Sequence, residues 1–215
     1  MFFTTLAYTV FAFMSFWLLY YWGQKQLFPT WKKERNKIYF IFYHKTMGIL
    51  LFGLIPLVLA WWYLPEHLPR SCLTIQDPET IILWSLGLMA LIWPLSKKMA
   101  QLKPTQAVYP QMRITYWAPS LFILNVIFWF LYIGAYEFLF RGLLFFSSIE
   151  VMALWQAILI NVVIYSLLHI PKGKGEIIGA LPFGIVLCLG TYFTGNFLFA
   201  FITHGFQAVC VEYFS

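Results

Sequence analysis

Seven separate apolar stretches, at about residues 2–22, 46–63, 81–96, 117–146, 151–170, 177–193 and 196–213, are each close to the length a helix needs to cross hydrocarbon, about 20 residues at 1.5 Å of rise apiece. Lipid offers the backbone no hydrogen-bond partners, so only helices and closed barrels span it. The ten-residue segments of alternating hydrophobicity that build a barrel are absent. The sequence therefore predicts an all-α fold, a polytopic transmembrane helical bundle of about seven spans. Composition agrees: 61% of the 215 residues are hydrophobic and only 10% charged, far from the balance of a soluble domain.

The fourth stretch is too long for one simple crossing. Either Gly134 breaks it or its outer end leaves the bilayer. No internal repeat and no low-complexity linker divides the chain, so it reads as one compact membrane body. The first stretch lacks a basic region on its N-terminal side and an A-x-A-like cleavage site, which predicts a retained helix.

Basic residues set the expected orientation. Lys25, Lys32, Lys33, Arg35 and Lys37 follow the first span; Lys97, Lys98, Lys103 and Arg113 follow the third; Lys172 and Lys174 follow the fifth. All three segments are expected on the cytoplasmic side, which puts the amino terminus outside and the carboxyl terminus inside. The opposite loops carry Arg70 with Glu66, Asp77 and Glu79, and then Glu150. Basic loops facing anionic lipid headgroups account for the net charge of +6 without nucleic acid. His44 and Lys45 fall at the edge of the second span, where long side chains reach the headgroups. Cys72, Cys188 and Cys210 match no disulfide or C-x-x-C pattern and read as small packing residues.

Few ionisable groups then remain at membrane depth, where each costs roughly 2.5–3.5 kcal/mol on insertion scales. In "GAYEFLFRGLLFF", Glu137 and Arg141 are four apart and share one helix face. In "NVVIYSLLHIPKG", Asn161, Tyr165 and His169 recur every four residues as a polar stripe. His204, in "FAFITHGFQAVC", lies about eight residues into the last span, roughly 12 Å from its outer end. An ion pair that neutralises itself in a dry bundle would explain Glu137 and Arg141 alone. Whether the groups meet is a question of depth. Glu137 lies roughly 15 Å below the turn near Ser147, and His169 roughly 27 Å from Val151, so a tilt, a broken helix or a protruding end must close the gap.

A carboxylate with two imidazoles can activate water, or can coordinate zinc. The ligand types suit zinc, but H-E-x-x-H is missing and the three groups come from three helices. Metal-free general acid/base chemistry, with no cofactor, is the expected reading, and zinc stays open.

These residues resemble the motifs of the CPBP family, also called ABI, which includes the type II CAAX prenyl proteases and bacteriocin-processing and immunity proteins. Its pattern is E-E-x-x-x-R, then F-x-x-x-H, then H-x-x-x-N or D. Here the three read "YEFLFR" (Tyr136 to Arg141), "YSLLH" (Tyr165 to His169) and "HGFQA" (His204 to Ala208), in the same order and over about residues 105 to 213. The resemblance implies an intramembrane glutamic-type endopeptidase, set in a bacterial cytoplasmic membrane, that cleaves a membrane-embedded or membrane-associated peptide or protein. A Glu and a His polarise water, and groups on the last helix steady the oxyanion. It makes Glu137, His169 and His204 the expected catalytic residues, with Arg141, Tyr136, Tyr165 and Asn161 in support, and implies an N-terminal transmembrane region over 1–104 and a transmembrane catalytic core over 105–215.

Three positions depart from that pattern. Tyr136 stands where the first Glu, the one assigned to water activation, usually is. Ala208 replaces the Asn or Asp one turn after His204, and Tyr165 replaces Phe. Two functions thus stay open: a protease in which Glu137 has taken the base role, or a catalytically inactive relative that binds or protects a partner in an immunity or scaffold role.

Overall fold

The computed structural model describes residues 1–30, 32–63, 74–170 and 173–215. Glu66, His67, Arg70 and Cys72 of the expected outer loop lie outside the described residues, as does Lys172.

Eight helices occur among the described residues, with no strand: α1 (Phe2–Leu27), α2 (Glu34–Tyr63), α3 (Pro78–Met99), α4 (Lys103–Val108), α5 (Pro119–Ile149), α6 (Leu154–Leu167), α7 (Lys174–Thr194) and α8 (Leu198–Phe214). The molecule is an all-α bundle and an integral membrane protein. Five helices, α1, α2, α3, α5 and α7, are long and apolar enough to cross a membrane; α6 and α8 are shorter apolar helices. The 14 residues of α6 reach roughly 21 Å. The expected span ran on to residue 170, but Pro171 disfavours helical geometry in the residue before it, and the chain has already turned by Leu168.

Helix α2 begins at Glu34, twelve residues before the predicted span. Its first turns, "ERNKIYFIFYHK", are too polar to register as membrane sequence, yet they remain helical and pack along α5. Helix α5 passes through Gly134 unbroken. It widens beyond that point into a π-helical segment, Phe138–Phe145, placed directly after Glu137. Such wider turns are rare and cluster at functional sites.

Helix α5 is the centre of the assembly, packed between α2 and α8, with α3 against α8 and α6 against α7. Small residues set those approaches, as they do where lipid supplies no hydrophobic drive between helices. A Cβ added to Gly53 of α2 would lie 2.7 Å from Ala135 Cβ and 3.2 Å from Ala135 Cα, one residue from Tyr136. The turn from α7 into α8 passes through Gly195 at φ +65°, a left-handed conformation that glycine adopts without steric cost.

Candidate active site

Glu137 ends the α-helical part of α5, and its side chain is fully buried. Arg141, one turn on, sends Nη1 back between the carboxylate oxygens, 3.2 Å from Oε1 and 2.9 Å from Oε2. The face of the same guanidinium lies over the Tyr165 ring, 4.5 Å from its centroid, a cation–π contact. From α8, His204 places Nδ1 2.5 Å from Glu137 Oε1. The carboxylate is therefore held between a guanidinium on its own helix and an imidazole on another. A buried carboxylate needs such partners, because an uncompensated charge there is prohibitive.

Tyr136 is also buried, its ring stacked on Phe140 at 4.6 Å and meeting His204 and Tyr165 edge-on, both at 5.9 Å. Its hydroxyl has no hydrogen-bond partner among the described residues. Tyr165 carries the contact onward: its ring lies 6.0 Å from that of His204 and 4.9 Å from that of His169. The two histidines thus flank one tyrosine. His169 donates Nδ1–H to the Tyr165 carbonyl, 2.9 Å away.

Asn161 does not face the space shared by the histidines. It is fully buried and donates to the Phe140 carbonyl inside the π segment at 2.8 Å, while the Cys188 thiol donates to its amide oxygen at 3.4 Å. Its place on α6 thereby ties the wide turn of α5 to α7.

These groups border a chamber of about 580 Å³ whose wall includes Tyr136, Tyr165, His169 and His204. Glu137 and Arg141 are not part of that wall. The expectation that Glu137 lines the cavity beside both histidines is replaced by a layered arrangement, in which His204 and Tyr136 separate the carboxylate from the open volume. The depth mismatch shrinks for a simple reason. Glu137 is twelve residues before the end of α5 and His169 fifteen after the start of α6, roughly 18 and 22 Å, and the Tyr165 ring spans what remains.

The chamber wall also includes Lys45, which the sequence placed at the headgroups. Lys45 does not reach the headgroups. It is 1% exposed, donates to Asn125 Oδ1 at 2.8 Å and sits 3.8 Å above the Trp129 ring. Asn125 in turn donates to Glu212 Oε1 at 3.4 Å, and Glu212 Oε2 accepts the Gln111 backbone N–H at 2.9 Å. Tyr109 and Glu176 also line the chamber. Burial first, then the charges of Glu176 and Glu212, hold the Tyr109 hydroxyl well above its ordinary value, so it stays a donor. The signal for this network was an amide in the apolar run "FILNVIF" and a carboxylate in "VCVEYF".

Among the described residues no group of three or more His, Cys, Asp or Glu lies close enough together to hold a metal ion. Residues 115–210 match the family model described as type II CAAX prenyl endopeptidase, Rce1-like. That range covers all three motifs, from Tyr136 to Ala208. No curated protein and no solved structure matches the chain.

Proposed function

Since residues 115–210 match the model of the Rce1-like type II CAAX prenyl endopeptidases, we propose that this membrane protein cleaves a membrane-embedded or membrane-associated peptide or protein with water activated by Glu137 and the histidines. One observation carries the reading: the His204 imidazole touches the buried carboxylate on one side and the chamber on the other.

In this reading His204 carries its proton on Nδ1, facing the Glu137 carboxylate, and Nε2 is the basic nitrogen. In the proposed reaction Nε2 takes a proton from a chamber water as its oxygen bonds to the scissile carbonyl carbon. The imidazolium is then stabilised by Glu137, whose own charge Arg141 tempers. The Tyr136 hydroxyl, buried and lacking a partner, donates to the oxyanion. The peptide C–N bond breaks as the imidazolium returns its proton to the leaving amine, giving a carboxylic acid and a free amine. His169, beyond Tyr165, is the second proton carrier. The basic loops face the cytoplasm in this reading.

A second reading has its own observation. Glu137 and Arg141 neutralise each other at zero exposure, with Tyr136 and Ala208 at two family positions, which suits an inactive relative that binds or shelters a partner. Purified protein in lipid, assayed on fluorogenic membrane peptides, separates the two. Cleavage by the parent should fall by about 10²–10⁴ in Glu137→Ala, His204→Ala and His169→Ala. Equal cleavage by parent and alanine variants refutes the Glu/His mechanism. Activity found only in a Tyr136→Glu, Ala208→Asn double variant marks the natural chain as the inactive relative.

A further inference from the structure

Trp129 lies on α5 two turns before Glu137 and is 3% exposed. It borders the chamber, and its indole Nε1–H finds no hydrogen-bond partner among the described residues. A buried donor without an acceptor is costly and is retained where something else supplies the acceptor. Ala208 belongs to the same small apolar cluster as Trp129, so position 208 offers the indole no side-chain acceptor.

Lys45 makes this indole an unusual one. The ammonium, held by Asn125 at 2.8 Å, lies 3.8 Å over the ring. A cation on the face draws π density toward itself and leaves the ring edge, N–H included, more positive. The result is a strengthened donor next to a positive charge, on the wall of the chamber.

We propose that Trp129 is a substrate-binding residue: its Nε1–H donates to a peptide oxygen of the substrate, and Lys45 is the positioning residue that polarises it. This rests on the peptide-cleaving reading above. The oxygen is not the scissile one. Eight residues of helix separate Trp129 from Glu137, roughly 12 Å along the axis, and a long helical side chain leans further toward the N-terminal end. An extended peptide advances about 3.3 Å per residue. The carbonyl that Trp129 holds is accordingly about four residues from the bond that is cut, and the chamber binds an extended segment rather than a single amide.

The test uses full-length protein in lipid and a cleavable membrane peptide remade as a series. Each member has one amide replaced by a trans-alkene isostere, two to six residues to either side of the scissile bond. One isostere, about four residues away, should lower kcat/KM of the parent about tenfold. Trp129→Phe, which keeps the ring and removes the N–H, should lose about as much on the all-amide peptide and nothing more on that isostere. Lys45→Gln should weaken the parent and have no effect in the Trp129→Phe background. A second readout needs no turnover: the ¹⁵N-indole resonance that vanishes in Trp129→Phe should move when the peptide is added and stay still with the critical isostere. The remaining indole resonances report whether the variants fold. Additive losses, parent-like cleavage by Trp129→Phe, or a Trp129 resonance unmoved by every peptide overturns the proposal. A resonance that moves without Glu137-dependent cleavage sinks the protease reading and leaves the Trp129 contact standing.

Discussion

His204 on the last helix and Glu137 at the head of the π segment share a hydrogen bond of 2.5 Å, and the Glu137 carboxylate also receives Arg141 Nη1 at 2.9 Å. One buried carboxylate therefore joins two helices and offsets two potential cations. Its loss and the loss of a partner should not be equivalent.

Removing Arg141 alone strands a buried charge. Arg141→Met should destabilise the protein by about 3–5 kcal/mol, whereas Glu137→Gln with Arg141→Met should recover most of that, because both charges leave together. Thermal unfolding in lipid or detergent across the double-mutant cycle measures the coupling. Simple additivity of the two single variants would show that the pair is not held as a unit.

Asn161 acts on the backbone of α5. Asn161→Leu would leave the Phe140 carbonyl without its 2.8 Å donor and should cost about 1–3 kcal/mol, the range for a buried polar group left unsatisfied. Asn161→Gln should not restore it, since the longer side chain overshoots a fully buried site. Stability by thermal unfolding, with activity of the surviving folded fraction, checks both.

Gly53 governs the approach of α2 to α5. Gly53→Val would drive its side chain into the Ala135 backbone, 3.2 Å from the first added carbon, and should cost about 1–3 kcal/mol by overpacking. Ala135→Gly in the same chain relieves the Cβ contact, so a partial recovery in unfolding temperature is expected.

Asp77 caps α3, accepting the Thr80 hydroxyl at 2.6 Å and the Thr80 backbone N–H at 3.0 Å. The side-chain hydrogen bond first, then the backbone one, holds its carboxyl below the usual range. The sign follows from that direction. The cap is in full force above the unfolded value of about 3.9 and is lost as pH falls through the lower folded value. The Thr80 amide resonance should titrate with a midpoint below about 3.9, and Asp77→Asn should abolish the titration.

Orientation has its own test. Single cysteines at Lys33, Lys98 and Lys174 should react with a membrane-impermeant thiol reagent only from the cytoplasmic face, and one at Glu79 only from outside. Labelling of position 79 from the cytoplasm would reverse the assignment.

The amino-acid sequence determined the helical bundle and most of the candidate site without help. Charges are so costly in lipid that Glu137, Arg141, His169 and His204 stand out from the apolar runs around them, and the helical period alone pairs Glu137 with Arg141. It did not determine which helix His204 would meet, that Glu137 would sit behind the chamber wall, or that Lys45 would turn inward to Asn125 and Trp129. Those are distances between helices, and no period along one chain encodes them. Close approaches at residues such as Gly53, the wide turn of Phe138–Phe145 and the Asn161 tie to Phe140 set them. Each depends on atoms brought from other helices, so only the packed structure could decide it.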